Sequence, residues 1–427
     1  MAASFRRRGM HAPATFSLFV RALPSERGFL VACGLESCLE YLEGLAVGDD
    51  DLDALTALGL DDLTIEALAG LRFTGDVSAV PEGRVVHAGE PLLEVTAPIA
   101  EAQLAETYLL NQLTFATAIA SKAARIRLAA GGRGLVDFAF RRTQGVEAAM
   151  TVARASAIVG FAATSDVEAA RRFGLRASGT MAHSYVEAFD SEGEAFRAFA
   201  EDNPTNTVLL VDTYDAHTGV QRAIDVITRL GLGQTAGIRI DSGDLAALSR
   251  EARRMLDAAG LTKTQIIASG GLDEYAIADL VAAGAPIDAF GVGTKMGVSE
   301  DAPSLESVYK LVAYDGRPVM KLQTGKATTP GPKQVFRGPS GDVIGLRDEA
   351  IPPGTEPLLI PVMEGGRRIH RESLDTARER FESDLNLLPE TVLRIRNPPR
   401  VDVALSSAVD ALTTSVHKKL IGRDHAS

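Results

Sequence analysis

From Gly134 to Lys295 the chain repeats one device: a short apolar run, a polar or glycine-rich turn, then a helical stretch. The runs read GLVDFAFRRTQG, AIVGFAATSD, SGTMAHS, TVLLVDTYD, GIRIDSGD, QIIASGGLDE and IDAFGVGTK. Segments such as TVLLV, GIRI and QIIA lack the alternation of a half-exposed strand, so both of their faces must be covered, as in a parallel sheet flanked by helices. The strand ends Asp212, Asp241, Ser269 and Gly291 recur at the pace of successive βα units. This pattern predicts a (β/α) barrel. In such a fold the chemistry collects just beyond the C-terminal strand ends, which is where the polar residues stand.

The flanks read differently. Thr15 to Val20 is expected as a strand, Gly28 to Leu45 as an amphipathic helix, and Asp49 to Leu71 as a charged, leucine-rich scaffold. Phe73 to Pro98 carries short Val/Leu runs between Pro-Glu-Gly and Ala-Gly-Glu turns and resembles the small β-module of biotinyl and lipoyl carriers. It contains no lysine to modify, so a structural module is expected. Glu101 to Ala130 reads as one long helix closed by Gly131-Gly132. Beyond Val308 come strand-like pieces, a loop at Pro352 to Pro361, a helix near Leu374 to Ser383, and a helical tail over Ser406 to Ile421. A chain of 427 residues can bury a sizeable core. Three regions are expected: 1–112 with the β-module at 73–98, a barrel over 113–305, and 306–427 returning to the first region.

Charge limits the partners. With 44 basic against 56 acidic residues the formal net charge is −12, which disfavours general binding to nucleic acid or to anionic membranes. An anionic substrate must therefore be held by a local basic cluster. No apolar run reaches the length of a membrane span, and MAASFRRRGM is not followed by a signal-peptide core, so a cytoplasmic protein is expected. Cys33 and Cys38 have the spacing of neither a zinc knuckle nor a redox pair and are expected as buried thiols.

Several residues at the strand ends are suited to chemistry. His183 follows Gly179-Thr180, a turn offering N–H and hydroxyl donors, and small neighbours leave its ring approachable. Arg141 and Arg142 follow the run Leu135 to Phe140; an arginine fork suits phosphate or carboxylate, and a surface salt bridge is the plainer role. In GIRIDSGDL, Arg239 and Asp241 lie two apart in one strand and share a side. Arg239 is placed to grip a small carboxylate, Asp241 to hold ribose hydroxyls or magnesium, and Asp244 to cap the next helix. Asp212 and Asp215 are a second carboxylate pair suited to magnesium on a phosphorylated substrate. Ser269-Gly270-Gly271 and Gly291 to Thr294 bare backbone N–H groups for close phosphate approach, with Lys295 and Lys321 either extending that anion site or simply solvated.

Taken in order, DFAFRRTQG, SGTMAHS, VDTYD, RIDSGDL, GVGTK and PSLESVYKLV closely resemble the nicotinate phosphoribosyltransferase family over nearly the whole chain. The resemblance implies an irregular (β/α) barrel of the type II phosphoribosyltransferase kind packed against an α/β sandwich domain built from both chain ends. It implies condensation of nicotinate with 5-phosphoribosyl 1-diphosphate, coupled to ATP hydrolysis, with Mg2+ and in a homodimer sharing its active sites. By the same resemblance His183 is the phosphorylated histidine, and His183, Arg239 and Asp241 are catalytic. Arg141, Arg142, Thr180, Asp212, Ser242, Gly270, Gly271, Gly291, Gly293 and Thr294 bind substrate, and Asp212 and Asp241 are the magnesium ligands. The relative that uses nicotinamide carries an aspartate that aligns with Ser165, so the acid is the expected substrate here.

The chain departs from that family in two places. Members begin with a segment like DLYQLTM, whose tyrosine stacks on nicotinate across the dimer, and this chain starts at about that methionine; a start site placed too far downstream is the expected explanation. The metal-binding cysteine cluster of some members is missing. Two other readings stand beside the main one: a quinolinate phosphoribosyltransferase, which decarboxylates and needs no ATP, and a non-catalytic binder of phosphoribosyl ligands.

Overall fold

A computed structural model describes residues 1–323 and 328–424. The chain divides into two contact units: one from Met1–Ala118, Ser304–Val392 and Pro398–Ser427, the other from Ile119–Pro303 and Leu393–Asn397.

The first unit is thus made from both ends of the chain. Among its described residues a seven-stranded antiparallel sheet runs Arg317–Pro318, Ser307–Tyr314, Pro13–Val20, Pro91–Pro98, Asp76–Ala79, Ile360–Glu364, Arg367–Arg368. Its core is continuous, from Phe16 and Leu18 through Leu93 and Val95 to Tyr309 and Val362, all buried. Phe16 stacks on Tyr309 with ring centroids 4.7 Å apart. Within the 73–98 stretch, Asp76–Ala79 and Pro91–Pro98 pair with each other inside this sheet, while Val85–Val86 pairs with Leu30–Val31.

That last pairing corrects the helix expected over Gly28 to Leu45. Leu30–Val31 is a strand, and the helix begins only at Leu35. Gly34 separates them with φ at 100°, its N–H bonded to Glu82 Oε1 at 2.7 Å, and a Cβ there would sit 2.8 Å from the Gln112 carbonyl oxygen. Only glycine adopts that turn at that distance.

In the second unit six parallel strands form a curled half-barrel: β1 (Gly134–Asp137), β2 (Ala163–Thr164), β3 (Val208–Leu210), β4 (Gly237–Ile240), β5 (Gln265–Ala268) and β6 (Ala289–Val292). Their spatial order is β2-β1-β6-β5-β4-β3, with parallel pairing throughout. Most of the runs expected as strands are strands. The exception is SGTMAHS, which forms no strand: Ala177 just before it bridges Thr164 of β2, the Ser178 N–H donates to the Thr164 carbonyl, and the helix His183–Glu187 follows.

The helices of this unit start in one recurring way. An aspartate beyond each of four strands accepts an N–H three residues on: Asp166 from Ala169, Asp215 from Thr218, Asp244 from Ala247 and Asp273 from Ala276. Each satisfies a backbone donor that a helix leaves without a partner, worth about 1 kcal/mol.

Candidate active site

A cavity of about 680 Å³ opens at the C-terminal ends of these strands. It is lined by Phe138, Phe140, Arg141 and Arg142 beyond β1, Ser165 beyond β2, and Gly179 to Ser184. Arg239 of β4 and Asp241 just beyond it, Ser269 to Gly271 beyond β5, and Gly291, Gly293 and Thr294 at β6 complete the wall. Residues far apart in sequence share this rim because parallel strands all point the same way.

Asp241 is the hub. Its Oδ2 lies 3.8 Å from His183 Nε2 and its Oδ1 lies 3.5 Å from Arg239 Nη2, while Ser269 donates its hydroxyl to Oδ1 at 2.5 Å. The other ring nitrogen of His183, Nδ1, is 3.1 Å from Thr213 Oγ1. The imidazole is thus held at one edge and open at the other, with 41% of its side chain exposed.

Arg239 is bedded deeply. Its Nη1 donates to the Thr180 hydroxyl and to the Met181 carbonyl, and the guanidinium lies 5.9 Å from the centre of the Phe138 ring. Burial draws its pKa below the usual arginine range, while the Asp241 and Asp212 carboxylates pull it back up. Its Nε is buried and has no hydrogen-bond partner among the described residues.

Asp212 and Ser242 do not line the cavity. Asp212 Oδ2 instead accepts the Asp241 N–H at 2.9 Å and the Ser242 hydroxyl at 2.6 Å, so the pair fixes the turn that carries Asp241. Asp215 caps its helix through the Thr218 N–H and hydroxyl, and Asp244 does the same through Ala247. Lys295 is bonded to Asp273 at 2.6 Å, and Lys321 belongs to the first unit. Arg141 and Arg142 sit in a short 3-10 turn, Phe140–Arg142, at the cavity wall.

The glycines are demanded by close packing. A Cβ at Gly270, whose φ is +91°, would lie 1.8 Å from the Asp241 carbonyl oxygen, and one at Gly291 would lie 2.3 Å from the Phe138 ring. Gly271 has φ at +64° with open space beside it, so its backbone faces the cavity without obstruction.

Two residues escaped the reading of the sequence. Phe138 supplies a flat apolar face beside Arg239, and its only signal was its place immediately after Asp137 at a strand end. Asp137 itself is buried beneath the rim, where it accepts the Ala139 N–H at 2.8 Å and the Thr164 hydroxyl at 2.7 Å. Burial, with Asp166 nearby, raises its pKa to about 6 despite those bonds.

A magnesium ion bound with substrate phosphates needs one or two carboxylates rather than a protein cage. Asp241 offers an oxygen to the cavity, and the chemistry of this donor set fits such an ion. Asp212 spends Oδ2 on the Asp241 N–H and the Ser242 hydroxyl, and its Oδ1 is buried with no hydrogen-bond partner among the described residues.

Residues 1–114 match the family model described as the nicotinate phosphoribosyltransferase (NAPRTase) N-terminal domain, residues 134–335 the NAPRTase family, and residues 307–413 its C-terminal domain. Nicotinate phosphoribosyltransferase pncB2 of Mycobacterium tuberculosis is 48% identical over 398 residues, 91% of this chain and 85% of that protein. The Bacillus subtilis nicotinate phosphoribosyltransferase is 46% identical over 82% of this chain and 75% of its own length. The crystal structure of human nicotinic acid phosphoribosyltransferase superimposes with a TM-score of 0.86 at 30% identity, covering 97% of this chain and 98% of that one.

Proposed function

The chain belongs to the nicotinate phosphoribosyltransferase family, the enzymes of NAD salvage, and from that premise we propose how its own residues carry the reaction. Nicotinate and 5-phosphoribosyl 1-diphosphate condense to nicotinate mononucleotide and diphosphate, coupled to ATP hydrolysis through phosphorylation of His183. The observation that carries this reading is the meeting of His183 and Arg239 at Asp241, with the Phe138 ring beside Arg239, in one cavity.

Arg239 grips the nicotinate carboxylate, and the Phe138 ring lies beside it to receive the flat pyridine. The pyridine nitrogen attacks the ribosyl carbon as the bond to diphosphate breaks and the diphosphate leaves with the electron pair. Positive charge grows on the ribose and negative charge on the leaving group. Arg141 and Arg142 stabilise the latter, while Asp241 faces the ribose hydroxyls. The nitrogen is a weak nucleophile, so fixed positioning supplies much of the acceleration. Gly270, Gly271, Gly291, Gly293 and Thr294 hold the 5′-phosphate. Asp241 would hold a magnesium ion, which when bound would supply charge neutralisation for the departing diphosphate.

ATP acts as co-substrate by transferring its terminal phosphoryl group to the His183 imidazole, releasing ADP. Hydrolysis of that phosphohistidine then ties turnover to ATP and draws the condensation toward product. Ser165 lines the cavity and Asp166 caps a helix, so no carboxylate stands at this position to accept from an amide, which favours the acid. A homodimer with shared active sites completes the proposal.

The deciding experiment gives the purified protein nicotinate, phosphoribosyl diphosphate, Mg2+ and ATP. Mononucleotide formation with stoichiometric ADP is expected. Turnover of quinolinate without ATP, or ligand binding with no product, would reject the reading.

Among the described residues no helix is long and apolar enough to cross a membrane.

A further inference from the structure

The two glycine turns lie at the ends of neighbouring strands, β5 and β6, and an ion pair between residues just past them ties them together. Asp273 stands two residues after Gly271 and Lys295 directly after Thr294. Asp273 Oδ1 caps the helix Glu274–Ala282 through the Ala276 N–H at 2.8 Å, and Oδ2 accepts Lys295 Nζ at 2.6 Å. Lys295 also lies 3.9 Å from Glu300 Oε2.

Neither residue lines the cavity, and the pair does not stand alone. Glu274, fully buried, meets Lys122 Nζ at 2.7 Å and Arg125 Nε at 3.0 Å, and Lys122 reaches Asp301 at 2.9 Å. Burial would push the Asp273 carboxyl upward, yet the Ala276 N–H, Lys295 and Lys122 bring it below its ordinary value. Its bond to Asp273 in turn raises the pKa of Lys295.

A phosphate held by backbone N–H groups from two separate turns depends on their spacing, because misplacing either by an ångström breaks its hydrogen bonds. Helix capping accounts for one Asp273 oxygen only. The other is given to Lys295, across the gap between the turns.

We infer that the Asp273–Lys295 ion pair is a positioning device that sets the separation of the two glycine turns, so that together they form one cradle for the 5′-phosphate of the ribosyl substrate. The inference rests on the reading above that these turns hold that phosphate.

The test compares Lys295→Met, Lys295→Arg, Asp273→Asn and the Met/Asn double variant in the full chain, with ribose 5-phosphate as the probe. Asparagine keeps the cap, so Asp273→Asn separates the ion pair from the helix start. Each charge-removing single variant is expected to raise the Kd for ribose 5-phosphate at least tenfold, with the nicotinate KM within about threefold. The double variant is expected to be no worse than the weaker single, and Lys295→Arg to recover most of the affinity. Unchanged ribose 5-phosphate binding in both singles, or a parallel rise in the nicotinate KM, overturns the inference.

Gly271→Asn keeps the left-handed backbone while placing a side chain in the cavity. If it loses ribose 5-phosphate while Lys295→Met and Asp273→Asn do not, the positioning role alone fails. If it binds like the unaltered protein, the phosphate assignment fails and takes the inference with it.

Discussion

His183 Nε2 lies 3.8 Å from Asp241 Oδ2, and that same carboxylate lies 3.5 Å from Arg239, so one acidic group stands between the imidazole and the guanidinium. Asp241→Asn removes the charge and keeps the shape. The turnover number should fall on the order of a hundredfold, with a raised magnesium requirement, since a charged group aimed at the reacting centre is worth that much. Steady-state rates over a magnesium series check this; a change below threefold would remove Asp241 from the chemistry.

His183→Ala should abolish stimulation by ATP while leaving a slower, ATP-independent condensation. Initial rates with and without ATP, and acid-labile phosphate on the intact protein, give the answer. Stimulation that survives the substitution would mean that another residue is phosphorylated.

Arg239→Lys replaces a planar fork bonded to Thr180 and Met181 with a point charge. The nicotinate KM should rise at least tenfold, about 1.4 kcal/mol, with the KM for phosphoribosyl diphosphate little altered. An unchanged nicotinate KM would place the acid elsewhere.

Ser165→Asp should cut kcat/KM for nicotinate at least tenfold and make nicotinamide a measurable substrate, because a carboxylate facing the cavity repels the acid and accepts from the amide. Asp166→Asn, confined to a helix cap, should leave this preference unchanged. Competition assays with the two pyridines distinguish the cases.

Asp137 gives the fold a pH dependence of definite sign. Its pKa rises from the ordinary 3.8 to about 6, so between those values the folded chain binds more protons than the unfolded one. Its contribution to stability is therefore full below pH 4 and lost as pH rises through 6, amounting to about 3 kcal/mol. Asp137→Asn should flatten that part of the profile. Melting temperatures from pH 4.5 to 7.5 measure it, and parallel profiles would exclude Asp137 as the source.

The primary structure alone determined the periodic part of this protein. Runs such as GIRI and QIIA must be buried on both faces, so parallel strands were legible, as were polar residues at their ends and Asp244 as a cap. The motif order carried the family. Local pattern failed where a distant partner decided the outcome: the start of the helix at Leu35 depends on Glu82 and Gln112 around Gly34, and nothing in GFLVACG announces them.

Only the tertiary structure sorted the carboxylates. Asp212 and Asp241 follow similar strands in similar motifs, yet Asp212 turns back to hold the Asp241 N–H and Asp241 faces the cavity. Ser165 and Asp166, adjacent in sequence, divide by a local bond instead: Asp166 caps the helix that follows it, and Ser165 lines the site. Sequence specifies which groups a strand end offers, because periodicity and side-chain chemistry are local. Which group meets substrate depends on the neighbouring strand's backbone, whose unsatisfied N–H groups claim some of those oxygens first, and that competition exists only once the sheet has formed.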